Sequence, residues 1–518
     1  MNHWRKGLTL ALALAVTATT AACGAKTGTD VQPSGTAASD PVKPVVPVKQ
    51  VQLKNGTTYS RNDSAQEKRM HDLIQEKTGV DMDVQFSAAG QFDNKMNLML
   101  SSGDQLDVIP FVSPEKAIDL YKNDAIVSLD ELIEKYGANL KKNIDPQAWP
   151  RATFQGKIIG IPNETAITTP TTLMIRTDWL KALNLPMPVT IAEFENVLEA
   201  FKNKDPDKNG VNDTYALSIR GDFSSLEKAL APFFLPQGMN PTLDEKTGLL
   251  MPPELLSGYK DMMTKLVEWN KLGYIWPDVL LSNSAKQIEL MTQNKVGVLA
   301  GTFSGTLDSE EILVKTVPEV MYEPLLLKGN GINKIPKIPV TLSLTVVTKR
   351  NKNPEAAVKF LDYLATPEGY TAALYGLEGE NYTKTSDGYF EFLGEDKVDH
   401  KKAPYYGKFY TITINFKNLL QWPLKTFSNR RMAENKAKME KLPSFDPIDI
   451  NVVYDKTKWK SYTKQNDMAT YLLQEKNKVF SGEVPVSDWD KVMAKWKQIG
   501  GEQSIEDQTA DYKAAKAK

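Results

Sequence analysis

The stretch Asp205-Pro-Asp207-Lys-Asn209-Gly210-Val211-Asn212-Asp213 combines residue types and spacing that suit a definite chemistry. Oxygen-bearing side chains at loop positions one, three, five and nine, with Gly at six, let a chain curl around one hard cation such as calcium. The pattern departs from a full EF-hand. Position twelve, where a bidentate Glu belongs, is Ala216, and no matching second helix follows. The alternative is an Asx turn that closes the preceding helix, since Asp, Asn and Gly fill such turns for local reasons.

Other reactive constellations are scarce. The only histidines are His3, His71 and His400, which leaves no zinc cluster and little for a catalytic triad. In Gly301-Thr-Phe-Ser304-Gly305 the serine sits one place late for a nucleophile elbow. Gly329-Asn-Gly331 lacks the third glycine of a dinucleotide fingerprint. No catalytic residue is assigned, although abundant carboxylates leave a glycosidase acid/base pair open. Lys plus Arg total 63 against 64 Asp plus Glu, so no strong field exists to hold a nucleic acid.

Aromatic residues are plentiful: 9 Trp, 19 Tyr and 18 Phe. Sugars lay their C–H faces on such rings while amides and carboxylates fork onto hydroxyls. Trp149, Trp276, Phe303, Tyr382 and Trp422 lie beside turns, Gly or Pro, where a ring can border a cleft. Trp179, Trp269, Trp489 and Trp496 fall on helical faces and read as core. Asn163 and Glu164 are hydrogen-bonding candidates at a hinge-like Gly160-Ile-Pro162 passage.

The elements that must position these groups alternate. Gln66 to Lys77 has helical spacing, Val80 to Phe86 alternates as a strand, Phe92 to Leu100 is helical again, and Asp107 to Phe111 is a short buried strand. This is an open α/β layout, whose ligands sit beyond the carboxyl ends of strands, so Phe111 to Ser113 become cleft candidates. Thr190 with Glu193 predicts a capping box and a helix through Phe201 that delivers the chain into the acidic loop. A cation there would pin the helix end to Tyr215, serving stability. Val296 to Gly301 and Leu342 to Val347 read as buried strands. Ser487 to Gln498 reads as a helix with Trp489, Val492, Met493 and Trp496 on one face.

The lone cysteine, Cys23, follows Arg5 and Lys6, an apolar run from Leu8 to Val16, and Thr20-Ala-Ala22. That order reads as a lipoprotein signal over residues 1–22 with Cys23 as the acylated residue. Residues 23–50, rich in Pro, Thr, Ala and Lys, read as a disordered tether.

Several passages carry a family resemblance. Phe154-Gln-Gly156-Lys157-Ile-Ile-Gly160-Ile-Pro162, Met174-Ile-Arg176-Thr-Asp178-Trp179-Leu180, Pro188-Val-Thr190-Ile-Ala-Glu193-Phe194, the acidic loop, Asn353-Pro354-Glu355 and Tyr375-Gly376-Leu-Glu378-Gly379 stand in order. Together they resemble the family 1 extracellular solute-binding proteins, carbohydrate-capturing lipoproteins of ATP-driven importers in Gram-positive bacteria. The resemblance implies a structural calcium site with ligands Asp205, Asp207, Asn209, the Val211 carbonyl and Asp213. Where family members often have Glu after the last Asp, this chain has Thr214, which weakens a sixth ligand. It also implies that Phe303, after the strand ending at Gly301, faces sugar.

The fold so implied is a bilobed α/β, type II periplasmic-binding-protein-like body with a hinge. Residues 51–162 and 342–378 would form the N-lobe, and 163–341 and 379–518 the C-lobe. The expected molecule is a monomer on the outer face of the cell membrane, held by its lipid alone, taking an oligosaccharide and meeting a membrane permease. Two other classes stay open: an extracellular carbohydrate-active enzyme and a peptide-binding surface receptor.

Overall fold

A computed structural model describes residues 46–53, 65–87, 92–103, 105–164, 171–219, 223–280, 284–393 and 427–517. Cys23, the signal segment and Trp422 lie outside these residues. The strands of the two main sheets are, in chain order, β1 (Val46–Leu53), β2 (Val80–Ser87), β3 (Val108–Val112), β4 (Ile161–Glu164), β5 (Thr172–Arg176), β6 (Tyr215–Ile219), β7 (Val296–Gly301), β8 (Tyr322–Leu325) and β9 (Thr341–Val347).

The first sheet has the order β2-β1-β3-β9-β4. β1 and β2 run parallel in register from Val46 beside Val80 to Leu53 beside Ser87, and Gln50 of β1 meets Val108 of β3. β9 is antiparallel to both its neighbours, with Leu344 beside Val112 on one side and Pro162 on the other. The strand β1 begins inside the stretch expected as tether. Val46, Val48 and Val51 supply the β-branched residues for it, a local signal outweighed in the sequence by the surrounding prolines.

The second sheet has the order β8-β5-β7-β6. β7 is parallel to β6, with Val296 beside Tyr215, and antiparallel to β5, with Gly301 beside Thr172. β5 and β7 are buried at every position, as expected of strands covered on both faces. The helix Ile191–Asn203 starts at the predicted capping box: Glu193 N–H donates to Thr190 Oγ1, and Glu193 Oε2 accepts from Thr190 N–H. Its Phe194, Val197, Leu198 and Phe201 are buried against this sheet, with Trp179 edge-on to Phe201 at 5.3 Å. Gly297 lets Phe201 approach the strand: a Cβ there would sit 2.3 Å from Phe201 Cδ2.

Each lobe keeps its own apolar interior. Ile74, Val108, Ile161, Val347 and Phe360 belong to the first, and Ile175, Trp179, Phe201, Met262, Trp269 and Trp489 to the second. Buried charges in the second lobe are paired. Arg176 grips Asp178 and donates to Asn294 Oδ1, Lys476 reaches Glu227 and Glu254, and Arg431 donates to Glu310 at 3.1 Å and to the Tyr322 carbonyl.

The C-terminal part, which the boundaries 379–518 assign to the second lobe, also touches the first. Glu380 pairs with Arg69 of the helix Ala65–Thr78 at 2.7 Å. Residues 449–458 reach the first lobe through Arg151 and Lys122. Charge pairs between residues more than three hundred positions apart decide this, and no local pattern announces them.

Candidate functional site

The acidic loop lies between the helix Ile191–Asn203 and β6. Asp205 accepts hydrogen bonds from the N–H groups of Asn209 (3.1 Å) and Gly210 (3.0 Å), which folds the loop back on itself. Lys208 and Gly210 take left-handed backbone angles, φ 56° and 80°, which suit glycine at the second of these. Asn209 Nδ2 donates to Asp207 Oδ2 at 2.9 Å and to Asp213 Oδ1 at 3.2 Å, so the four predicted side chains converge. The Val211 carbonyl accepts from Asp213 N–H at 3.1 Å. Asp207 Oδ1 is buried without a hydrogen-bond partner.

The electrostatics follow from crowded carboxylates. Burial, a hydrogen bond shared with Asp205, and the charges of Asp205 and Asp213 push the Asp207 carboxyl up from 3.8 to about 6. Burial works against the Asp205 charge, but the bonds from Gly210, Asp207 and Asn209 outweigh it and hold that carboxyl below its ordinary value. Lys295, with its ammonium 2.8 Å from Asp213, holds the Asp213 carboxyl low as well.

Among the described residues, no three His, Cys, Asp or Glu side chains form a ready metal cage. Asn209 turns its Nδ2 donor, not its carbonyl oxygen, toward Asp207 and Asp213. The donor set still fits a hard cation: one turn of the Asn209 amide presents Oδ1, and the unpartnered Asp207 Oδ1 supplies an oxygen that lacks a donor. Thr214 does not face the loop. It is buried and donates to the Phe201 carbonyl at 2.7 Å, pinning the loop's exit to the helix before it.

A second set of groups gathers where the two sheets meet the chain crossover. β4 ends at Glu164 and β5 starts at Thr172, while β9 begins at Thr341. Register sets Val112, Leu344 and Pro162 side by side and Ser343 opposite Asn163. Asn163 is buried, donates to Ser343 Oγ at 3.1 Å and accepts from Thr345 Oγ1 at 3.2 Å. Glu164 is buried and accepts from the Asp145 N–H. Both residues therefore tie the crossover to the first lobe, at the hinge-like passage where sequence reasoning made them hydrogen-bonding candidates.

Phe111, at the carboxyl end of β3, is half-buried with φ 59°. A bulky residue in the left-handed region stores strain, and such strain collects at functional places. Ser113 beside it caps the next helix, accepting from Lys116 N–H. Trp149 is half-buried against the first lobe's interior.

Three of the aromatic candidates are core. Trp276 and Phe303 pack with Met174, Leu299, Leu313 and Tyr322 in the second lobe and are 6% and 2% exposed. Tyr382 is 4% exposed and lies 4.6 Å from Phe390 in a small hairpin cluster. Nearness to Gly or Pro did not mean exposure. Trp276 N–H donates to the Leu217 carbonyl, so the turn itself extends the sheet and carries the ring inward. The helical tryptophans 179, 269, 489 and 496 are buried as expected. Sequence reasoning missed Ser343, Thr345 and Arg151. The one signal for Ser343 and Thr345, a Ser/Thr alternation in a β-branched strand, is also plain strand propensity, and Arg151 has none.

With this geometry in view, the family can be stated. The chain belongs to the bacterial extracellular solute-binding proteins, whose family model matches residues 62–371. It is 25% identical over 468 residues to a polygalacturonan/rhamnogalacturonan-binding protein, YtcQ, of Bacillus subtilis (strain 168), covering 86% of this chain and 88% of that protein. Its fold matches the crystal structure of the alginate-binding protein AlgQ2 without calcium ion, with TM-score 0.69, 22% identity, and coverage of 90% of this chain and 98% of the other. It also matches an EF-hand mutant of the S. pneumoniae binding protein FusA in complex with fructo-nystose, with TM-score 0.68, 19% identity, and coverage of 91% and 99%. Among the described residues no helix is long and apolar enough to cross a membrane.

Proposed function

We propose that this protein is the substrate-binding component of an ATP-driven importer, closing its two lobes on an oligosaccharide and delivering it unchanged to a membrane permease. The observation that carries the reading is the family match over residues 62–371, joined to two sheets that meet at one crossover. The curated relatives include a polygalacturonan/rhamnogalacturonan-binding protein, a carbohydrate importer protein and a fructooligosaccharide importer protein. Their ligands share a hydroxyl-rich ring chemistry that hinge closure can desolvate on both faces. Phe111, Trp149 and the polar rim around Ser343 are the groups we assign to the ligand side of the first lobe.

In the same reading, Asp205, Asp207, Asn209, the Val211 carbonyl and Asp213 hold a structural calcium ion, and Cys23 carries the lipid that tethers a monomer to the outer face of the membrane. The FusA neighbour studied as an EF-hand mutant supports this metal assignment. Calcium supplies charge neutralisation at the loop and takes no part in capture.

The test is titration calorimetry of the purified chain with oligogalacturonides, fructooligosaccharides and N-glycan fragments, with chromatography of the sugar afterwards. Saturable binding with intact sugar is expected. Shortened sugar would replace the receptor reading with an enzyme, and binding of extended peptides alone would replace it with a peptide receptor. Cys23→Ala should release the protein from membranes into the medium.

A further inference from the structure

The segment between Ser444 and Gln465 starts and ends on the second lobe and crosses the first lobe in between. At its start, Ser444 and Phe445 pair as a strand with Ile335 and Pro336, and Lys337 N–H donates to the Phe445 carbonyl. At its end, Trp459 Nε1 donates to Asp511 at 2.7 Å, and Ser461 donates through N–H and Oγ to Asp507 at 2.9 and 2.7 Å. Asp507 and Asp511 lie on the C-terminal helix Glu502–Lys516, which packs on the second lobe through Thr509 and the Leu250 N–H.

Between these attachments the segment is gripped by the first lobe. Arg151, only 10% exposed, donates Nη1 to the carbonyls of Ile450 (3.4 Å) and Val452 (3.1 Å) and Nε to the carbonyl of Thr341 (2.9 Å). Glu115 of the first lobe stands 3.6 Å from its Nη2. Lys122 reaches both oxygens of Asp455 at 3.3 Å and the hydroxyl of Thr457. Val453 packs against the interior that holds Ile118, Ala152 and Leu344, and Lys458 lies 5.7 Å over the Phe154 ring.

One guanidinium thus holds the segment and the first residue of β9 together. Thr341 is where the chain re-enters the first sheet, so Arg151 sits at the crossover itself. A planar fork of fixed donors suits three carbonyls at once, which a lysine point charge does not. We propose that residues 446–460 are a clasp that sets the angle between the lobes, with Arg151 as its pivot. Closure on a ligand then turns about Arg151 and strains the Lys122 to Asp455 contact, and the clasp limits how far the lobes part.

The test uses the full chain with Cys23→Ser and two spin-labelled positions, Glu131→Cys on the first lobe and Lys495→Cys on the second, both exposed. Electron–electron resonance without sugar reads the interlobe distance distribution. A single narrow distribution is expected for the parent. Arg151→Ala and Lys122→Ala should widen it by about twofold, as loss of a differential contact broadens a two-state population. Arg151→Lys should fall between. Hydrogen exchange of the two sheets should stay as in the parent. Should Arg151→Ala fail to fold, Lys122→Ala carries the test, since that lysine is one-third exposed. Unchanged distributions in the folded variants, or a lower melting temperature with no widening, would overturn the clasp and leave ordinary packing.

Discussion

Asp207→Asn has a sign that only a crowded cation loop predicts. In the folded chain the Asp207 carboxyl stands at about 6 instead of 3.8, raised by burial, by its bond to Asp205 and by two neighbouring charges. A group raised in the folded state stabilises fully below its unfolded value and loses that contribution as pH rises through the folded value. At pH 7 the ionised Asp207 is therefore a cost. Taken without screening the shift amounts to roughly 3 kcal/mol. The side chain is half-exposed, so about 1 kcal/mol remains after screening by solvent. Asparagine removes the charge and offers Asp205 an N–H donor that the ionised carboxylate lacks. In a chelator the variant should melt higher by roughly 2 °C for a chain of this size. With calcium at a hundredfold excess over its dissociation constant, the parent should gain about 2.7 kcal/mol, and the variant should gain almost none. Differential scanning calorimetry in chelator and in calcium reads both signs. A variant that melts lower in chelator, or an equal calcium gain in both proteins, would refute the reasoning and reduce the loop to an Asx turn.

Other outcomes follow from the same structure. Glu310→Ala leaves the buried Arg431 with only the Tyr322 carbonyl and the half-exposed Glu434, and should cost about 3 to 5 kcal/mol in urea unfolding. Gly297→Ala places a Cβ 2.3 Å from Phe201 Cδ2 and 2.9 Å from Trp179 Cε3, and should cost about 1 to 3 kcal/mol by overpacking, read as a lowered denaturation midpoint. Burial opposes the charges of Asp455 and Asp507, but Thr457, Lys458 and Lys122 in one case, and Ser461 and Gln503 in the other, outweigh it and hold both carboxyls below 3.8. Depressed groups stabilise above their unfolded value and lose that contribution as pH falls through the folded one. The interlobe distance should therefore be flat from pH 8 to pH 5 and widen only below about 4.

What the sequence disclosed and what it hid divide along the range of the interactions. The Thr190 capping box, the helix to Phe201, and the burial of Val492, Met493 and Trp496 were legible because caps and helical periods are written within a few residues. The loop at 205–213 was legible for the same reason. The fate of Trp276 and Phe303 was not, because a ring beside a turn packs inward or outward according to what the other elements bring to it. Met174, Leu313 and Tyr322 decided that, each from a different part of the chain. Asn163 and Glu164 were legible as hydrogen-bonding groups, but the partners of Asn163, Ser343 and Thr345, arrive from nearly two hundred residues away. The grip of Arg151 on Ile450 and Val452 has no local trace at all.

The acidic loop enters the second sheet at Tyr215, beside Val296, whereas the crossover reaches that sheet at Thr172, beside Gly301. Five strand steps separate the two ends, roughly 17 Å at the usual rise. An ion bound in the loop, as proposed, would be a rivet at the heel of the lobe, out of reach of anything held at its mouth. Durability and appetite can accordingly drift apart in this molecule: a descendant could shed the metal and melt sooner, yet go on seizing the same cargo.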